Sequence, residues 1–169
     1  LRKASEDFDW SQISPTIFGA VFESTLNPET RRSGGMHYTS IENIHKVIDP
    51  LFLDELREEL AEIKALKVPK IRNDKAEAFR EKLSKLTFFD PACGSGSLLI
   101  RAVNEAPFDI APYGQELDEM TAGLAKMNLV LHNKATGEIA GNKSTFSQPQ
   151  YFEEGSDDQV LRRFDFIVM

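Results

Sequence analysis

The residues best placed to do chemistry lie in FFDPACGSGSLL (88–99), where an apolar run ends in Asp90 and passes into Gly94-Ser95-Gly96 at the mouth of a helix. Two glycines so spaced let a backbone turn sharply and approach a ligand with no Cβ in the way. The third glycine of the dinucleotide fingerprint is missing, with Leu99 in its place, and no Lys follows as in a phosphate loop, so pyrophosphate binding is disfavoured. A second expected strand ends in Glu116, 20 residues after Gly96, where an acidic group can take both ribose hydroxyls of a nucleoside. Ribose recognition without a diphosphate points to a nucleoside cofactor such as S-adenosylmethionine.

Other chemistries find less support. Cys93 is the single cysteine, and His37, His45 and His132 follow no ligand spacing, so no disulfide and no metal site are expected. His37 and His132, with no carboxylate or serine at a catalytic spacing, read as surface or loop residues. The acids Glu153, Glu154, Asp157 and Asp158 lack the alternation of a calcium loop and read as a solvated segment. The formal charge of −7 argues against a strong grip on nucleic acid by this chain alone. The basic stretch from Lys64 to Lys85 is the local exception, read as a solvated helix face with phosphate contact as the alternative. No run approaches the roughly 20 apolar residues of a membrane-spanning helix, and no secretion signal opens the chain, so a cytoplasmic protein is expected.

The elements that must hold these residues can be read from periodicity. Asp9 to Leu26 carries an apolar stripe at helical spacing. Asn27 to Gly35 reads as an exposed loop. Thr39 followed by Glu42 has capping-box spacing and predicts a helix start. Asp49-Pro50 either kinks that helix or caps another. Leu53, Leu56, Leu60, Ile63 and Leu66 mark an amphipathic helix over 51–66. KVPKIRND (67–74) reads as a break before a charged helix in KAEAFREKLSKL. Strands are expected at 86–90, in PYGQEL (112–117), near EIAG (138–141) and in FDFIVM (164–169), with helices over 97–105 and 120–132. Strands alternating with helices at this spacing give right-handed βαβ units and a parallel sheet.

DPACGSGSLLI (90–100) resembles motif I of the amino-group DNA methyltransferases. YGQELDEMTAGLAKMNLVLH (113–132) is similar to the following segment in the modification subunits of type I restriction systems. Upstream, the segment 9–40 resembles that of single-chain restriction-and-modification enzymes, with HYTS (37–40) in the place of motif X. The resemblance implies an α/β, doubly wound, Rossmann-like class I methyltransferase core that is truncated, with a helical arm over 1–85 and the first part of the cofactor domain over 86–169. It implies S-adenosylmethionine as cofactor, with Asp90, Ala92, Gly94 and Gly96 lining its methionine part and Tyr38 and Thr39 closing it. Glu116 would bind the ribose and Leu117 would pack on the adenine. Asn142 stands where the family usually has an acidic residue, and its amide oxygen can still accept from the adenine amine. Phe146 is read equally as core or cofactor wall. Cys93 lies inside the cofactor turn, unlike the attacking cysteine of carbon-5 cytosine methyltransferases, and is read as packing.

The family's Asn-Pro-Pro-aromatic motif is absent from the sequence and is expected after the strand matched by FDFIVM, beyond Met169. The chain, which does not begin with Met, is accordingly expected to be a piece of a longer site-specific DNA adenine methyltransferase of a restriction-modification system, inactive alone. Double-stranded DNA would be gripped through parts outside it, with specificity and restriction subunits as partners. Methylation of RNA or of a protein glutamine, or a catalytically silent cofactor-binding or assembly module, are the alternatives.

Overall fold

A computed structural model of the chain describes residues 9, 12–25, 40–105, 110–134, 136–155 and 160–169. Its centre is a parallel sheet of β1 (Phe88–Asp90), β2 (Pro112–Gln115), β3 (Glu138–Ala140) and β4 (Phe166–Ile167), in the order β3-β2-β1-β4. Phe88 pairs with Pro112 and with Phe166, and Gly114 with Ile139, which fixes the register. The chain runs outward from β1 to β3 and then returns to the other side of β1. In such an α/β sheet that reversal opens a crevice at the strands' carboxyl ends, and Asp90 stands there.

Helix α1 (Pro15–Thr25) packs on α5 (Ser97–Asn104) and α6 (Glu119–Leu131), the helices that follow β1 and β2. Between lie α2 (Ile41–Ile48), α3 (Asp54–Ala65) and α4 (Pro69–Ser84). Ile44, Ile48, Phe52 and Leu53 are buried in one cluster with Phe88, Leu99, Ile100, Val103 and Val168. Phe52 meets Phe88 edge-on at 5.0 Å between ring centroids, and each such buried side chain contributes about 1.5–3 kcal/mol. A second, smaller cluster of Ile63, Phe79 and Leu83 closes the α3–α4 hairpin, and Leu56 packs against both clusters.

Two local expectations change, the cap of α2 and the break at 67–74. The cap of α2 is Ser40, whose side chain accepts from the Asn43 amide, rather than Thr39 with Glu42; a hydroxyl one residue on meets the same free amides. Asp49 and Pro50 mark the junction expected there: α2 ends at Ile48, and Asp49–Leu53, with Pro50 in its first turn, form a π-helical turn that leads directly into α3. Pro69 opens α4 as its first residue, so the predicted break at 67–74 is confined to the residues before it. Within α4 and its partner, Lys82 pairs with Glu59 at 2.6 Å and Lys85 with Glu81 at 2.7 Å, consistent with a solvated, ion-paired face. Among the described residues no helix is long and apolar enough to cross a membrane.

Candidate functional site

β1 delivers Asp90 to the crevice with 2% of its surface exposed. Its Oδ1 accepts from the Ala92 amide at 3.0 Å. Burial pushes the carboxyl up to about 7, against the Ala92 amide that favours its charge, and the nearby Glu116 carboxylate adds to the rise. The chain then turns over the end of β2, where the Cys93 amide donates to the Gln115 carbonyl at 3.1 Å. Cys93 is buried, and burial raises its thiol far above the usual range, so it is an inert packing group as expected.

Gly94 and Gly96 both take the left-handed conformation, with φ of 53° and 75°. The two differ in what a side chain would meet. A Cβ on Gly94 has nothing within 4 Å, whereas one on Gly96 would lie 3.4 Å from the Ala125 Cβ and 3.8 Å from Ile100. A side chain on Gly96 would therefore face α6, in contact with Ala125, and one on Gly94 would face open space. Ala92 is exposed at the same lip.

Glu116 joins the two strand ends. Its Oε2 accepts from the Gly94 amide at 2.9 Å and its Oε1 from the Asp118 amide at 3.0 Å. Each oxygen keeps a further lone pair for a hydroxyl donor. Leu117, the next residue, holds its apolar side chain 65% exposed at the lip. Asp118 caps α6 by accepting from the Thr121 amide and hydroxyl, bonds that hold its carboxyl below the usual range.

Asn142, in the loop after β3, adopts φ of 59° and is exposed. Phe146 is fully exposed, so it is not core. Tyr38 and Thr39 lie outside the described residues. Among the described residues no group of His, Cys, Asp and Glu could hold a metal ion.

One residue went unseen in the sequence and one was misplaced. Gln115 is wholly buried and stitches the loop to β2, donating to the carbonyls of Lys143 (3.0 Å) and Gln148 (2.9 Å) and accepting from the Gln150 amide (3.2 Å). His132, expected at the surface, is buried; its Nδ1 faces the Asn128 carbonyl at 2.9 Å and its Nε2 the Ile13 carbonyl. A polar residue at the end of a strand or of a helix carries no mark of such roles.

A glycine turn after β1, a carboxylate after β2 bonded to that turn and a chain reversal beside them define an α/β protein with these groups gathered at the carboxyl ends of its parallel strands. The chain belongs to the N-6 DNA Methylase family, whose model matches residues 14–169. It is 40% identical over 107 residues to DNA methyltransferase A of Bacillus subtilis strain 168, covering 62% of this chain and 11% of that protein. It is 49% identical over 139 residues to the type I restriction enzyme MjaVII methylase subunit of Methanocaldococcus jannaschii, covering 78% of this chain and 19% of the relative. Among solved structures, the methyltransferase subunit of a type I restriction-modification system from Streptococcus thermophilus aligns with 30% identity and a TM-score of 0.42, over 54% of this chain and 19% of that one. The chain thus spans less than a fifth of the length of these curated relatives.

Proposed function

We propose that this chain is the S-adenosylmethionine-binding part of a DNA adenine N-6 methyltransferase of a restriction-modification system. The observation that carries the reading is the Glu116 carboxylate bonded to the Gly94 amide across the mouth of the crevice, beside a buried Asp90. The donor set fits such a cofactor. Glu116 has lone pairs to accept from the ribose hydroxyls, the space over Gly94 is open, Leu117 offers an apolar surface to an adenine, and the Asp90 carboxyl can face the cationic amine of the methionine part. Ala92 and Gly96 shape the turn, Tyr38 and Thr39 close it from the preceding segment, and Asn142 accepts from the adenine amine. When bound, the cofactor supplies an electrophilic methyl group on a sulfonium. This chain's residues hold and orient it and exclude water around it. The target amine would be held by the Asn-Pro-Pro motif of the whole protein, with the adenine flipped out of double-stranded DNA. Specificity and restriction subunits are the proposed partners.

Calorimetry with S-adenosylhomocysteine tests the reading. Glu116→Ala removes two acceptors, each worth about 0.5–1.5 kcal/mol, and should weaken binding about 5- to 150-fold. Glu116→Gln keeps one acceptor oxygen and should fall between. Unchanged affinity in a folded Glu116→Ala protein would remove the ribose assignment.

A further inference from the structure

Asn128 stands on α6 with none of its surface exposed. Its Nδ2 donates to the Ser95 carbonyl in the glycine turn at 3.0 Å and reaches the Pro15 carbonyl, the first residue of α1, at 3.4 Å. Ser97, the first residue of α5, donates to that same Pro15 carbonyl at 2.9 Å and pairs with the Ser95 hydroxyl at 2.9 Å. One helical turn on, the His132 ring meets the Ile13 carbonyl. The start of α1 is therefore tied to the turn through the side chains of Asn128 and Ser97. Asn128 also keeps its Oδ1 buried with no hydrogen-bond partner among the described residues. A bare buried amide oxygen is a cost that an apolar side chain of the same volume avoids, so the two donor bonds are what the residue contributes.

We propose that Asn128 is a positioning residue that joins α1 to the cofactor turn, so that docking of α1 and binding of the cofactor reinforce each other. The inference rests on the cofactor reading above. A ligand that fixes the Ser95 carbonyl fixes the Nδ2 group, and with it the Pro15 carbonyl. By reciprocity a docked α1 holds the turn in its binding geometry.

Hydrogen exchange on the 169-residue chain, with and without S-adenosylhomocysteine, separates the two readings. In the unaltered chain the ligand should slow exchange about fivefold or more at the turn (92–96) and also along α1 (17–25). Asn128→Leu should bind about tenfold more weakly and, at saturating ligand, keep the protection of the turn while losing that of α1. Ser97→Ala, which removes one of the two links to Pro15, should bind about threefold more weakly with partial loss along α1, and it decides the matter should Asn128→Leu not fold. No binding by the unaltered chain would overturn the cofactor reading and this inference with it. Protection of the turn without α1, or Ser97→Ala and any folded Asn128→Leu retaining full affinity and full protection of α1, would overturn this inference alone.

Discussion

A carboxyl as deeply buried as Asp90 is tolerated in its neutral form and penalised when charged. Its value of about 7 in the fold, against 3.8 for a free side chain, means that between those pH values the folded chain holds a proton that the unfolded chain releases. Stability from this group is thus fully present below 3.8 and is lost as pH rises through about 7. Urea unfolding should find the protein more stable at pH 5 than at pH 8 by about 3 kcal/mol from this residue, and Asp90→Asn should abolish that step. Persistence of the step in Asp90→Asn would assign it to another group. The two glycines also part company at this scale. Gly94→Val carries the strain of a left-handed side chain, about 1–2 kcal/mol, with open space around it, and should lose S-adenosylhomocysteine binding while still folding. Gly96→Val adds overpacking against Ala125, about 1–3 kcal/mol more, and should melt earlier than Gly94→Val. Thermal melts paired with calorimetry read both; equal melting temperatures would contradict the packing difference.

Between elements, the tightest approach runs through Gly114, where a Cβ would lie 2.6 Å from Ile139 on β3 and 3.0 Å from the Cys93 sulfur in the turn. Gly114→Ala should cost about 1–3 kcal/mol in chemical denaturation; a neutral effect would mean that the Ile139 side-chain tip and the Cys93 sulfur move aside without loss of packing. The alternation of strands and helices and the placing of Asp90, Gly94 and Glu116 were legible in the sequence because strand-end residues announce themselves by type. Phase and burial were less so. Thr39 and Ser40 are equivalent hydroxyls to a pattern, and only the backbone geometry selects Ser40. A proline such as Pro69 suits either a break or the first turn of a helix, and here the helix runs on from it to Ser84. His132 caps the carboxyl end of α6, where a polar residue is ordinary, and it is buried against the approach to α1, meeting the Ile13 carbonyl as Asn128 meets that of Pro15. Carbonyls have no sequence signature.

For the whole molecule, the acidic balance of −7 and the absence of an Asn-Pro-Pro sequence carry one prediction. Residues 1–169 alone should transfer no methyl group to DNA above background, because positioning of the target amine, which can supply roughly 7–11 kcal/mol of a barrier, is left to groups they do not contain. Tritiated-methyl incorporation is the measurement, and transfer by this chain would show that the catalytic groups are already within it. The π-helical turn at Asp49–Leu53 has a bearing on shape at this scale. An α-helix advances about 100° per residue, so one residue more in a turn works as a phase shifter between two apolar stripes, the one through Ile44 and Ile48 and the one through Leu56, Leu60 and Ile63. With that added step Leu56 packs against the main cluster and the hairpin cluster at once. The bearing of the whole α3–α4 hairpin, the 16 residues of α4 included, is thus written in a single surplus residue, as a vernier stores a coarse angle in one small division.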